Sequence, residues 1–193
     1  MKCLFVITFF ILVDVFALNA ENKIITMNTN HTSLIYAVDQ TGKLNFQYYG
    51  KRINDVTSFS RKDINSTSIG RRSLGYEAYP TNGNGNINEP ALSIIHYDGS
   101  LITELQFIKS TLDSKRSGIE HSIIYLKDRF FDLEVELHTE AFQNEDVLTQ
   151  WVVILNHEPG VVSLQNFFSS YLNIYARSYY LTHFSGAWAN EMS

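Results

Sequence analysis

Short runs of alternating apolar residues, each closed by a turn, constrain this chain more than any other feature of its sequence. Leu34, Tyr36 and Val38 alternate, Asp39-Gln40-Thr41-Gly42 turns, and Leu44, Phe46 and Tyr48 alternate again. Successive side chains of a strand point to opposite faces, so this pattern predicts a hairpin with one apolar face, ended by Tyr49-Gly50-Lys51-Arg52. Residues 91–97 and 101–108 flank Asp98-Gly99, a strong two-residue hairpin signal. Residues 122–126 and 131–142 are expected to pair around Lys127-Asp128. Residues 148–156 and 161–175 then follow, with Glu158-Pro159-Gly160 turning between them. No segment keeps a helical period for three turns. The fold class that follows is all-β, a large antiparallel β-sandwich. Residues 54–73 and 112–120 lack either period and read as polar surface connections, the first of a length that in a compact domain often carries function.

Composition narrows the function classes. With 45% apolar and 18% charged residues in 193, the chain can bury a core and is not of disordered type. Its net charge of −5, with basic residues at most two together as at Arg71-Arg72, excludes nucleic acid as a default partner. Residues 1–20 read as a secretory signal peptide: Lys2, then a mostly apolar run broken by Asp14, then Ala17-Leu18-Asn19-Ala20. That run is short of a membrane span, so the expected location is secreted, with no membrane partner. The single cysteine, Cys3, falls inside the leader, which leaves residues 21–193 without disulfides, thiolate metal ligands or a thiol nucleophile. Asn30-His31-Thr32 and Asn65-Ser66-Thr67 would be glycosylation acceptors in a eukaryotic secretory pathway.

Few constellations could carry chemistry. Asp132, Glu134, Glu136, His138 and Glu140 share one strand face. Neighbours in that row lie about 7 Å apart, loose for the roughly 5–5.5 Å of a retaining glycosidase pair, so the row is expected to be the solvent face of a half-buried strand. The six histidines, at 31, 96, 121, 138, 157 and 183, form no close metal-binding spacing, and no metal or cofactor is expected. Gly83 and Gly85 open like a phosphate-binding loop, but position 88 is Asn and no helix follows. Ser185-Gly186 lacks the flanks of a nucleophile elbow. Tyr48, Tyr49, Tyr76, Tyr79, Tyr97, Trp151, Tyr179, Tyr180 and Trp188 are numerous enough to stack on sugars, although core and edge packing is the commoner use. No catalytic, cofactor-binding or metal-ligating residue is assigned.

Residues 75–92 read GYEAYPTNGNGNINEPAL, a tyrosine-rich entry, a proline, a loop of Gly and Asn, and an exit through Glu89-Pro90. With Tyr49-Gly50-Lys51-Arg52-Ile53, Ile102-Thr103-Glu104-Leu105, residues 132–136, Asp146-Val147-Leu148-Thr149, Asn156 and residues 183–191 (HFSGAWANE), this stretch resembles the N-terminal region of glycoside hydrolase family 36, the α-galactosidases. The ordered set covers nearly all of residues 21–193. Asn86 and Asn88 stand where the family usually carries Asp and Arg, and Ser185 where it often has Pro, which leaves ligand contacts from the loop unassigned.

The resemblance implies a supersandwich-like domain preceding a (β/α)₈ catalytic barrel with an aspartate nucleophile and an aspartate acid/base. A barrel needs roughly 200 residues or more, so the reading is that it is absent from these 193. Residues 21–193 are then the N-terminal sandwich domain of a secreted α-galactosidase-like protein. Hydrolysis of terminal α-galactosides belongs to the full-length enzyme, and α-galactoside oligosaccharides are partners through the barrel. Family members that form homo-oligomers bring loops of this domain toward a neighbour's active site, which singles out residues 54–73 and 81–88. The alternative is a stand-alone carbohydrate-binding or protein-interaction sandwich.

Overall fold

Nine strands and one turn of helix make up the computed structural model, which describes residues 23–60, 77–83, 89–174 and 178. The strands are β1 (Ile24–Asn28), β2 (Thr32–Val38), β3 (Leu44–Lys51), β4 (Leu92–Ile95), β5 (Leu105–Arg116), β6 (Ile119–Asp128), β7 (Leu133–Phe142), β8 (Val147–Asn156) and β9 (Ser163–Phe167). Among the described residues they form three antiparallel sheets, ordered β1-β2-β3, β4-β9 and β5-β6-β7-β8. The architecture is a β-sandwich. One apolar core joins all three sheets, drawing Met27, Leu34 and Phe46 from the first, Leu92 and Ile94 from the second, and Ile124, Leu133 and Val135 from the third.

The β2–β3 hairpin forms as the alternation predicts. Asp39 shapes its turn by accepting from the backbone N–H groups of Thr41 and Lys43 at 2.8 and 3.0 Å. It differs in one respect: β2 is buried on both faces, since Ile35 and Ala37 are as enclosed as Leu34 and Tyr36. A strand in the middle of a sheet and covered on both sides needs no polar face.

Three expectations are corrected. Residues 112–120 are not a linker, because β5 runs on to Arg116 and β6 begins at Ile119, with Gly118 at φ +74° in the turn between them. Register shifts at Phe107/Lys109 and Asp113/Arg116 break the alternation, and the exposed edge position of β5 admits polar residues throughout. The Asp98-Gly99 turn forms, with Gly99 N–H donating to the His96 carbonyl at 2.9 Å, but residues 101–104 do not return as a strand. The Thr103 N–H donates instead to the Asn82 carbonyl at 3.1 Å, which draws that segment toward residues 81–83. The Glu158-Pro159-Gly160 turn passes the chain from one sheet to another, so that β9 pairs with β4. Of the expected 161–175, strand structure spans Ser163–Phe167 within residues 161–174, and residue 175 lies outside the described residues.

Of the connection 54–73, residues Thr57–Ser60 form a helical turn, with Asp55 accepting from the Thr57 N–H at 2.9 Å, and residues 61–73 lie outside the described residues. So do 84–88 of the Gly/Asn loop, the 1–20 leader and residues 179–193.

Candidate functional site

The carboxylate row of β7 lies on the outer face of the four-stranded sheet, and each of its members is engaged. Lys127 Nζ donates to Asp132 at 2.9 Å and Glu134 at 3.1 Å. Those bonds raise the lysine pKa and lower that of Asp132. Glu140 pairs with Arg116. Glu136 Oε2 lies 3.0 Å from His138 Nε2, and His138 Nδ1 lies 3.0 Å from His121 Nε2. With Glu136 ionised as acceptor, the network assigns the proton of His138 to Nε2, leaving Nδ1 to accept from His121.

Trp151 lies across this pair, its ring centroid 4.8 Å from His138 and 5.2 Å from His121, near-parallel to both. Register explains the assembly, since Trp151 is the direct cross-strand neighbour of His138 on β8. The rings bury His138, so the row is not a uniform solvent face. Burial, followed by the neighbouring His138 imidazole and the Arg116 guanidinium, holds the His121 pKa below the usual imidazole value. No carboxylate here is free to act as one half of an acid–base pair, and no three His, Cys, Asp or Glu among the described residues are arranged to hold a metal ion.

A second histidine cluster sits where the Gly/Asn loop begins. His96 Nδ1 is 2.8 Å from Glu158 Oε1 and its Nε2 is 2.9 Å from Thr103 Oγ1. The histidine and glutamate side chains are 0% and 1% exposed. The imidazole stacks face to face on Phe131, centroids 3.7 Å apart. The second Glu158 oxygen accepts from the Tyr97 N–H at 3.2 Å, and Asn156 Oδ1 accepts from the Glu158 N–H at 3.1 Å.

Thr103 carries the cluster outward. Its carbonyl accepts from Thr81 Oγ1 at 2.5 Å and its N–H donates to the Asn82 carbonyl. At the next residue a side chain would force a shift: a Cβ on Gly83 would lie 2.8 and 2.9 Å from Ile102 Cγ1 and Cα, and φ is +80°. A carboxylate, an imidazole and a hydroxyl in sequence are the parts of a nucleophile relay, but Thr103 is completely buried and no substrate can reach it. This cluster is a latch tying the β4 end, the β8–β9 turn and the Gly/Asn loop together.

The latch escaped the sequence reading, although a signal was present. Leu92, Ile94 and His96 continue one alternation, which places the imidazole inward and obliges it to find a partner. Of the sugar-stacking aromatics, Tyr79 is buried and donates its hydroxyl to the Phe168 carbonyl at 2.8 Å, while Tyr49 and Tyr97 are exposed. Tyr76, Tyr179, Tyr180 and Trp188 lie outside the described residues.

Residues 42–193 match the model of the glycosyl hydrolase family 36 N-terminal domain. Alpha-galactosidase AgaA of Geobacillus stearothermophilus is 23% identical over 199 residues, covering 91% of this chain and 27% of that protein. A variant of AgaA solved in complex with raffinose superposes with a TM-score of 0.63 at 20% identity, over 76% of this chain and 24% of the other. The α-galactosidase of Lactobacillus brevis gives 0.64 at 20% identity, and the galactosidase domain of the α-galactosidase-sucrose kinase AgaSK gives 0.66 at 23%. Each of these two covers 79% of this chain and is itself covered over 24%. The chain thus spans about a quarter of the length of these relatives, and the likeness to the solved structures is one of fold.

Proposed function

Because this chain belongs to glycosyl hydrolase family 36, which it matches in the N-terminal domain, we propose that it serves as the sandwich domain of an α-galactosidase whose chemistry is carried elsewhere in the polypeptide. The match over residues 42–193, set against relatives about four times as long, carries this reading. The closed state of both histidine clusters agrees with it, since neither offers an acid–base pair to a substrate. The substrate class is terminal α-galactosides, in line with the raffinose and stachyose complexes of AgaA variants. Residues 1–20 direct secretion, and neither nucleic acid nor membrane is a partner.

The test is hydrolysis of p-nitrophenyl α-galactoside. The chain alone should show no turnover, whereas AgaA carrying this chain in place of its own N-terminal quarter should hydrolyse the substrate. Turnover by the chain alone, or a folded but inactive fusion, overturns the reading. N-terminal sequencing of the secreted product checks the leader, with residue 21 expected first.

One observation favours the stand-alone carbohydrate-binding alternative. Trp151 and Tyr171, both half-buried, line a shallow surface depression together with Gln150, Ser169 and Ser170. Aromatic faces beside hydroxyl and amide groups suit one edge of a sugar ring. A saturable change in Trp151 fluorescence with raffinose, measured in a W188F background, would support this second reading, and a flat titration would remove it.

A further inference from the structure

Two imidazoles on the outer face of the four-stranded sheet share one hydrogen bond beneath one indole. His121 on β6 and His138 on β7 are diagonal neighbours, since His121 lies opposite Glu140 and His138 opposite Ile123. Their facing nitrogens, Nε2 and Nδ1, are 3.0 Å apart, a distance that holds only while a single proton lies between them. The proton states of the pair can therefore be counted. With no added proton, His121 Nε2–H donates to His138 Nδ1, and His138 Nε2–H donates to Glu136. A first added proton fits the same geometry, because His121 Nδ1 takes it while its Nε2–H still donates. A second does not. Both rings then carry hydrogen on both nitrogens, and two N–H groups of like-charged rings face each other across 3.0 Å.

We propose that this trio is an acid-operated switch: His121 and His138 stay bonded beneath Trp151 with one added proton and part with two, which frees the indole. The groups that face the pair decide how it responds. Asp113 on β5 and Glu140 on β7 lie directly opposite His121, Glu136 on β7 holds His138, and Arg116 on β5 engages Glu140. From β8 the neighbours are Trp151 and Thr149, both uncharged. The three carboxylates outweigh the one guanidinium, so the site accepts protons, yet none of these groups stands between the two facing nitrogens. The bond between the rings is what gives way. His121 is held below the ordinary imidazole value, so it binds its proton less readily folded than unfolded. Stability from this group is therefore present above about pH 6.5 and is lost as pH falls. Trp151 also lines the depression beside Tyr171, Ser169 and Ser170, and the switch sets whether that surface presents a held indole or a free one.

Acid titration of the W188F chain, in which Trp151 is the sole tryptophan, tests the switch. Below about pH 6.5 the indole emission should move to the red and its quenching by acrylamide should rise several-fold, while far-UV circular dichroism stays constant. H121F keeps a ring beneath the indole but cannot take a proton, and should lose that transition. Emission that holds until the circular dichroism itself collapses overturns the inference, and so does a transition that survives in H121F. Should H121F fail to fold, NMR of the histidine ring nitrogens in the W188F chain decides. The imidazole–imidazole bond should disappear across the same window as the emission change, and a bond that outlasts that change also overturns the inference.

Discussion

Breaking the His96–Glu158 latch from one side should cost far more than removing it altogether. In Glu158→Leu the buried imidazole keeps Thr103 but loses its carboxylate, and the Tyr97 N–H loses its acceptor. In His96→Phe the stacking on Phe131 survives, but a carboxylate that is 1% exposed is left with one backbone donor. Removing one partner of a buried pair typically costs about 3–5 kcal/mol. In a domain of this size that is a fall of roughly 6–20 °C in Tm. Replacing both partners by apolar groups of similar shape is often close to neutral, so H96F/E158L should be more stable than either single variant. Urea unfolding followed by far-UV circular dichroism, run on all four proteins of the cycle, measures this directly. If the double variant loses the sum of the two single losses, the partners act independently and the latch argument is wrong.

Three further outcomes follow from the geometry. Gly83→Ala places a Cβ against the Ile102 backbone at positive φ, and should cost on the order of 1–3 kcal/mol by denaturant unfolding; a neutral result would mean the 81–83 segment can shift freely. Burial pushes Tyr36 and Tyr79 up to about 12 from an ordinary 10, so each phenol binds its proton more tightly when folded. Their contribution is fully present below pH 10 and is lost as pH rises through 12, at about 2–3 kcal/mol each. Stability measured from pH 9 to 12 should fall across that window, and less steeply in Tyr36→Phe. Asp146 sits at φ +60° and accepts from Thr29 and from the His31 N–H, bonds that hold its carboxyl below the usual range. Stability from this group is present above the normal carboxylate pKa and is lost as pH falls. Asp146→Ala should therefore be less stable than wild type at pH 7 and closer to it at pH 3, with Asp146→Gly the milder change because glycine accepts the backbone angle.

Alternation alone made the central elements legible. β3, β6 and β7 follow it because each buries one face over much of its length, β2 buries both, and β8 packs Leu148, Val152 and Ile154 half-buried against the core; the positions of Leu34, Phe46, Leu133 and Val135 in the core follow from the alternation directly. β5 was half missed because an exposed edge strand with two register shifts has no face to keep apolar. The β4–β9 pairing was missed for a different reason. A turn such as Asp98-Gly99 reports only its own geometry and says nothing about which strand lies alongside. The latch depends on partners 62 residues apart, a separation at which no local pattern speaks. The family, by contrast, was legible through the order of short motifs, several of which now have physical roles: Asn156 orients Glu158, Asp146 ties the β7–β8 turn to residues 29–31, and Gly83 admits the Ile102 backbone.

The pairing of β4 with β9 also sets an order of events during folding. The β5–β8 meander closes through neighbouring hairpins, which are quick to form, while β4 must wait for a strand about seventy-five positions downstream. During synthesis the chain would hold β4 as an unpaired edge until Phe167 has emerged. His96 would remain without its carboxylate partner until Glu158 arrives. The topology therefore predicts that the meander nucleates the domain and that the β4–β9 sheet completes it. Retarding mutations should concentrate in β6 and β7, whereas changes at the latch should chiefly accelerate unfolding.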